Sequence, residues 1–296
     1  MGSEMCIRDS TTWAKQSIAH NTMVLDQRSH FDGQYALGSQ HHSTLAYASL
    51  DDDSLLTIYA EEINAYPDAN LSRALSLVSL PGLDRPLLVD LLKVSGRAKT
   101  VDVPTHYRGQ FIEISEPLIA PTTPKLVGTD SGYQHLLEEA RTDVISGAAL
   151  KFTWLNANRF YTMFRSAKSG DAFIHARVGA NDPDFNLRRD PVLIHRRSPN
   201  EHRSSFVSVI ESHGSYSPVT ELSKGQQSVI SGLNIILDSP EYTVAAIALR
   251  SGVSFVLAWA HENFSPVKTH ELQLPSGTLR WTGPQTVEKR SGETNE

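Results

Sequence analysis

The stretch that decides the fold is Ser205–Ile210, which has the sequence SFVSVI. In an extended chain, Val207 and Val209 point to one side and the residues between and after them point to the other. Lys151–Leu155 (KFTWL) alternates in the same way. A period of two between side chains of one face is typical of half-buried β-strands, so both stretches are predicted strands.

Further strands are predicted wherever a short apolar or alternating run ends at Gly, Pro, Asn or Asp. They lie near Ser17–Leu25, Thr44–Leu50, Leu55–Glu61, Leu71–Ser79, Pro86–Val94, Gln110–Ser115, Leu150–Leu155, Arg159–Phe164, Ala172–Val178, Pro191–Arg196, Ser205–Glu211, Val229–Leu237, Tyr242–Leu249, Val253–Ala260, Glu271–Leu274 and Thr278–Thr282. Leu87-Leu88-Val89 and Ile235-Ile236-Leu237 are continuously apolar, which predicts strands covered on both faces. Many short strands separated by turns predict an all-β fold, an antiparallel β-sandwich of stacked sheets.

The sequence is predicted to divide into three segments. Residues 1–10 (MGSEMCIRDS) resemble a spurious leader of translated sequence assemblies, so we predict that they are foreign to the fold. Residues 11–284 are predicted to form the β-sandwich domain, and residues 285–296 a frayed polar tail. Within the domain, Tyr133–Ala140 (YQHLLEEA) fits a strand or a short helix equally well, because helix-favouring residues follow a glycine and lie among strands.

Composition limits the kinds of partner. Hydrophobic residues make up 40% and charged residues 20% of the 296 residues, which favours a packed core. The net charge of -6 and the pI near 6.1 argue against a nucleic-acid partner. No apolar run reaches the roughly 18 residues of a membrane span, and no signal peptide or other targeting signal is recognisable. The single cysteine, Cys6, lies in the predicted leader, so no disulfide framework is possible.

His20 is the candidate metal ligand. It lies with Asn21 in Thr11–Thr22 (TTWAKQSIAHNT), and a neutral imidazole is a common zinc ligand. The simpler interpretation is a hydrogen-bonded histidine, because zinc needs three or four ligands and no partner stands nearby in the sequence. His30 and the pair His41-His42 could return to His20 across a hairpin, although a polar loop explains them more simply.

Two other groups of residues could hold a ligand. Tyr133-Gln134-His135 is predicted either to line a sugar cleft or to belong to a partly exposed strand. The densest basic region contains Arg188, Arg189, Arg196, Arg197 and Arg203, whose guanidinium groups are suited to carboxylates. The adjacent Asp182, Asp184 and Asp190 are predicted to neutralise about half of these charges. Asp51-Asp52-Asp53 is interpreted as a solvated turn, and no nucleophile, phosphate-loop or metalloprotease motif is present.

Several runs, taken together, resemble one family. They are TWAKQSIAHNT (Thr12–Thr22), SHF (Ser29–Phe31), AYP (Ala65–Pro67), GYQHL (Gly132–Leu136), FTWLNANRFY (Phe152–Tyr161) and ARVGANDPDFNLRR (Ala176–Arg189). In order along the chain, they resemble the C-terminal half of heparinase II/III-like polysaccharide lyases. Within that superfamily, the resemblance is to the alginate and oligoalginate lyases.

The resemblance implies a β-sheet domain that packs against an N-terminal α/α toroid, and β-elimination at a uronic acid. In that reaction the sugar carboxylate is neutralised, a tyrosine removes the proton on the adjacent carbon, and another tyrosine protonates the leaving oxygen. The implied partners are an acidic oligosaccharide, alginate, and the toroid, which this chain does not contain. A periplasmic or cell-envelope location is also implied.

The family's site residues transfer only in part. His20 matches the zinc-ligating histidine of the family's HNT motif, whereas the other two protein ligands, a His and an Asp, precede the motif. The family's spacing places the acid tyrosine at Cys6, and the base tyrosine and the Asn-His pair that holds the carboxylate belong to the toroid. We therefore assign no catalytic residue and expect an incomplete zinc site and an inactive chain. We also expect self-association, because a toroid-facing surface would be bare.

Two alternatives stay open. The first is a stand-alone carbohydrate-binding β-sandwich, which would need an exposed aromatic platform, with Trp154, Tyr161 and Trp281 as candidates. The second is a lyase fragment that acts on a glycosaminoglycan instead of alginate.

Overall fold

The structure is a computed structural model that describes residues 10–181 and 187–290. Helical structure in these residues is limited to short turns at Ser10–Ala14, Ser17–Ala19, His30–Gly33 and Tyr133–His135, and to α1 (Tyr35–Gly38). The strands, in chain order, are β1 (Val24–Leu25), β2 (Thr44–Ser49), β3 (Leu55–Tyr66), β4 (Ala69–Val78), β5 (Leu87–Gly96), β6 (Val101–His106), β7 (Gln110–Ile114), β8 (Lys125–Leu126), β9 (Leu136–Asp143), β10 (Leu150–Asn156), β11 (Arg159–Arg165), β12 (Ala172–Val178), β13 (Pro191–Arg197), β14 (Arg203–His213), β15 (Ser215–Ser217), β16 (Leu222–Lys224), β17 (Ile230–Asp238), β18 (Tyr242–Leu249), β19 (Ser254–Ala260), β20 (Thr269–Leu274), β21 (Gly277–Thr282) and β22 (Gln285–Arg290).

Three antiparallel sheets form the body of the protein, which confirms the predicted all-β fold. The eight-stranded sheet has the order β2-β3-β4-β5-β14-β11-β10-β7, the six-stranded sheet β1-β6-β13-β12-β9-β8, and the four-stranded sheet β17-β18-β19-β22. Two hairpins, β15-β16 and β20-β21, complete the topology of the described residues.

The eight-stranded sheet lies between the other two. Val207 and Val209 pack with Trp259 of the four-stranded sheet in one apolar core. Phe206, which points the opposite way, packs with Val103 of the six-stranded sheet in another. The strand predicted at Ser205–Ile210 is therefore a central strand, and both of its faces are buried.

The first described segment, residues 10–25, packs on the outer face of the six-stranded sheet. Ile18 is fully buried and packs with Ile174 and Ile194. Ser17–Ala19 forms a helical turn, and only Val24–Leu25 pair with β6. The predicted strand Ser17–Leu25 is therefore wrong over most of its length, because its apolar side chains cover a sheet face and do not extend a sheet edge.

β6 was missed in the sequence because Pro104 interrupts its apolar pattern. Pairing with β1 ends at Asp102, and His106 donates its N–H to Asn21 Oδ1 at 2.7 Å on that same edge. Alternate residues of a strand point their N–H groups to the same edge, so an N–H at position 104 would point to the edge beyond the end of β1. No strand of the described residues pairs with β6 there, so proline at this position costs no hydrogen bond of the sheet.

One other expectation needs correction, and one open alternative has an outcome. Gln285–Arg290 pair with β19 as strand β22, so the predicted polar tail is wrong for these residues; residues 291–296 and the first nine of the predicted leader lie outside the described residues. Tyr133–Ala140 contains both predicted structures, a helical turn at Tyr133–His135 followed by β9.

No helix in the described part of the chain is long and apolar enough to cross a membrane.

Candidate functional site

The turn that carries His20 and Asn21 is held against the six- and eight-stranded sheets. Asn21 Oδ1 accepts the His106 N–H at 2.7 Å, and the Asn21 carbonyl oxygen accepts Arg73 Nη1 at 2.9 Å. Arg73 is itself fixed by two hydrogen bonds of 2.9 Å to Asp90 of β5. Asn21 therefore anchors the turn, and its position follows from partners more than fifty residues away in the sequence.

His20 is exposed, and one of its ring nitrogens is already in use. Its Nε2 lies 2.8 Å from the Ala14 carbonyl oxygen. Because a carbonyl oxygen only accepts, Nε2 carries the proton, and in a neutral ring Nδ1 keeps its lone pair. A histidine oriented by such a hydrogen bond is a suitable metal ligand through its other nitrogen.

Two further imidazoles near His20 are oriented in the same way. His30 Nε2 lies 2.8 Å from the Met23 carbonyl oxygen, and His106 Nε2 lies 2.7 Å from that of Ile18. Burial lowers the pKa of both rings, which keeps them neutral. All three histidines donate to carbonyl groups of the chain between Ala14 and Met23, so they help to hold that segment in place.

These histidines do not form a metal site. No group of three His, Cys, Asp or Glu side chains within residues 10–181 and 187–290 is arranged to hold a metal ion. His41 stacks on Phe31, with the ring centroids 5.2 Å apart, and does not complete a cluster with His20. Because zinc needs three or four ligands, His20 does not fit a zinc ion by itself.

Tyr133 and His135 are buried in the turn before β9, where Tyr133 bonds to β6 and His135 bonds to the first described segment. The Tyr133 hydroxyl donates to Asp102 Oδ2 at 2.7 Å, and His135 Nε2 lies 3.1 Å from Thr12 Oγ1. Burial raises the pKa of Tyr133 well above its usual value. Neither predicted environment, a sugar cleft or a partly exposed strand, matches these two residues.

Two of the five arginines in the densest basic region are neutralised by aspartates that are distant in sequence. Arg196 makes two hydrogen bonds of 2.8 Å to the buried Asp102, and Arg197 Nη2 lies 2.6 Å from the buried Asp171. Arg188 and Asp190 form an exposed pair at 3.5 Å. The predicted partners Asp182 and Asp184 lie outside the described residues.

Of the three candidates for an aromatic platform, Trp154 and Trp281 are buried and Tyr161 is half-buried. Trp154 and Trp281 are only 8% and 6% accessible to solvent. Trp154 stacks on Tyr161 at a centroid distance of 5.4 Å within the sheet packing. No sequence signal identified the buried group of Asp171, His195 and Arg197, because His195 and Arg197 lie on β13 whereas Asp171, just before β12, is more than twenty positions away and meets them only in the folded chain.

The comparisons with known proteins define the class. The family model described as "Heparinase II/III-like, C-terminal" matches residues 4–229. The chain belongs to this heparinase II/III-like family. A solved structure described as a heparinase III gene product superposes with a TM-score of 0.53 at 12% identity over 88% of this chain and 32% of that one, a likeness of fold.

Two curated relatives are more similar in sequence. An exo-oligoalginate lyase from Saccharophagus degradans is 33% identical over 287 residues, which are 95% of this chain and 38% of the relative. An alginate lyase from Stenotrophomonas maltophilia is 33% identical over 288 residues, 96% of this chain and 38% of the relative. The chain thus spans well under half the length of the curated relatives it matches.

Proposed function

We propose that this chain is the C-terminal β-structured part of a polysaccharide lyase that cleaves alginate oligomers by β-elimination at a uronic acid. The observation that carries the proposal is the 33% identity, spread over 95% and 96% of the chain, to relatives named for alginate or oligoalginate. The heparinase III structure matches at 12% identity, so the sequence favours alginate over a glycosaminoglycan.

The described residues around the turn at His20 support a positioning role for this part. Two phenols that pack in the same cores as residues of this segment, Tyr66 with Met23 and Tyr133 with Ile18, face inward. Tyr66 donates to the Arg28 carbonyl at 2.8 Å, and Tyr133 donates to Asp102. Burial raises the pKa of both tyrosines, and a general base must be accessible and ionisable near the working pH. The groups that transfer protons are therefore proposed to lie in another part of the protein.

Two finer features of the family remain proposals for this chain. His20, through Nδ1, is proposed as the one zinc ligand that these residues contribute. A periplasmic or cell-envelope location is proposed on the family resemblance alone.

A chimera tests the proposed function. The chain from Thr11 onwards is joined to the preceding region of the Saccharophagus degradans relative, and ultraviolet absorbance of the unsaturated uronate product is followed with alginate oligomers and with heparan sulfate. We expect activity of the chimera on alginate, and none of this chain alone. Cleavage by the isolated chain, or a preference of the chimera for heparan sulfate, would overturn the proposal.

A further inference from the structure

A groove with a cavity volume of about 790 Å³ lies away from the turn at His20. It is bounded by β7, β10 and β11 of the eight-stranded sheet and by the segment that contains the hairpin β15-β16. Thr153 and Leu155 line it, whereas the intervening Trp154 points to the opposite face of the sheet and into a buried core. The volume is within the range of small-molecule binding sites.

A chain of buried hydrogen bonds orients the floor of the groove. His213 Nδ1 lies 2.9 Å from the Gly225 carbonyl oxygen, and His213 Nε2 lies 2.8 Å from Thr162 Oγ1. Thr162 Oγ1 in turn lies 2.8 Å from Thr153 Oγ1. The carbonyl can only accept, so Nδ1 donates; with Nδ1 as the protonated nitrogen, Nε2 has the lone pair that accepts the Thr162 hydroxyl proton.

The donor and acceptor roles along these hydrogen bonds fix the role of the Thr153 hydroxyl. Thr162 uses its proton on His213, so the contact with Thr153 requires the Thr153 hydroxyl to donate. The oxygen of Thr153, in a side chain only 2% exposed, is left as an oriented acceptor on the groove floor. Glycine at position 214 permits the approach of the segments, since a Cβ there would lie 2.2 Å from the Gly225 carbonyl oxygen.

The sides of the groove carry polar groups without a protein partner. In the part of the chain that the structure describes, the side chains of Gln110, Gln226, Gln227 and Tyr216 make no hydrogen bond. Each carboxamide can both donate and accept, and a phenol can do the same. Apolar surface comes from Ile112, Leu155 and Phe160.

The groove has little charge to offer. Its lining contains no lysine or arginine, and its one carboxylate, Glu113, is paired with Lys151 Nζ at 2.7 Å. A ligand that carries a carboxylate on every sugar would meet Glu113 and find no unpaired cation. Hydroxyl groups, by contrast, are complementary to free carboxamides, a phenol and an oriented threonine oxygen.

We propose that this groove binds a neutral oligosaccharide, at a site separate from the turn at His20 and independent of lyase activity. The ligand's hydroxyls hydrogen-bond to the carboxamides, one of them donates to Thr153 Oγ1, and its less polar ring faces contact the apolar lining.

Calorimetric titration of the whole chain tests this proposal. The probes are cellohexaose, laminarihexaose and mannohexaose, with an alginate hexasaccharide as the charged comparator. We expect saturable binding of at least one neutral probe and at least tenfold weaker binding of the alginate probe. The double variant Gln226→Ala/Gln227→Ala is expected to weaken neutral binding by about tenfold, since the hydrogen bonds it removes are together worth about 1.4 kcal/mol.

Matched variants distinguish binding from folding. Gln34→Ala/Gln40→Ala removes two exposed carboxamides elsewhere and is expected to leave affinity unchanged. Thr153→Ser keeps the acceptor and should bind, whereas Thr153→Val should not; circular dichroism melting curves check that each variant folds. The proposal is overturned if no neutral probe binds at millimolar concentration, if alginate binds equally well, or if the glutamine double variant binds as the wild type does.

Discussion

His195 donates a 2.8 Å hydrogen bond from Nε2 to Asp171 Oδ2 in the interior of the protein, where neither side chain reaches solvent. The imidazole stacks on Phe173, with ring centroids 4.3 Å apart, and meets the edge of Phe206. Burial lowers the pKa of His195 to about 4, although the bond to Asp171 acts in the opposite direction. The folded protein therefore keeps this ring neutral at pH values where an unfolded chain would protonate it.

Stability is expected to fall as the pH falls from about 6.5 to about 4. Over this window the unfolded state binds a proton at His195 and the folded state does not, so protonation favours unfolding. The shift from 6.5 to about 4 corresponds to about 3 kcal/mol for this residue. Urea unfolding at several pH values measures it, and His195→Gln should show a shallower dependence. A free energy of unfolding that is constant or rises on acidification would contradict this prediction.

Arg196→Gln is expected to destabilise the fold by about 3–5 kcal/mol, because it leaves the fully buried Asp102 without its bidentate partner. Chemical denaturation at neutral pH measures the change. The matched control is Arg188→Gln, since the Arg188 side chain is 69% exposed and its ion pair is expected to contribute less than about 1 kcal/mol. Equal losses of stability in the two variants would show that the buried ion pair of Arg196 and Asp102 stabilises the fold no more than the exposed one does.

Asn21→Ala is expected to cost about 1 kcal/mol of stability, because the His106 N–H loses its acceptor and the turn is released from β6. His20→Ala should cost less, since its exposed ring makes one hydrogen bond to Ala14. Thermal unfolding of the two variants side by side measures the difference. If His20→Ala were the more damaging, our assignment of the anchoring role to Asn21 would be wrong.

Zinc content is expected to be well below one ion per chain, because the described residues contain no group of three His, Cys, Asp or Glu side chains, at His20 or elsewhere, that could hold the ion. Elemental analysis of protein purified without chelator, then dialysed, gives the stoichiometry. His20→Ala serves as the comparison and should have the same low content. One zinc ion per wild-type chain that is lost in His20→Ala would refute the inference that the zinc site is incomplete.

Self-association is expected through an apolar face of β2, β3 and β4. Leu45, Ile58, Leu75 and Leu77 are 60%, 49%, 37% and 45% exposed, and Ile58 pairs directly with Leu75. A contiguous apolar patch of this kind favours association. Size-exclusion chromatography should show species larger than the 32.7 kDa monomer. Ile58→Lys/Leu77→Lys should shift them to monomer, whereas Val267→Lys, at an isolated exposed position, should not. A monodisperse wild-type monomer would contradict this prediction.

The strands were largely predictable because their information is local. Lys151–Leu155 and Ser205–Ile210 alternate with a period of two, and both are strands in the structure. The strand predicted at Ser17–Leu25 failed because an apolar run reports burial and does not say whether the chain pairs with a sheet edge or lies across a sheet face. β22 was missed because polar residues at its start resembled a frayed terminus.

The site was predictable only as single residues. The sequence singled out His20 but could not show that Asn21, beside it, anchors the turn through His106 and Arg73. The groove floor was not predictable at all, since Thr153, Thr162 and His213 lie on three strands and have no shared motif.

By itself, the sequence determined the all-β class, most strand positions and the family, because hydrophobic periodicity and runs of matching residues are properties of neighbours along the chain. Only the tertiary structure decided the stacking of the three sheets, the pairing of Arg196 with Asp102 across 94 positions, and the orientation of the Thr153 hydroxyl. Those features depend on burial and on hydrogen bonds between distant segments, and burial exists only once the chain has folded.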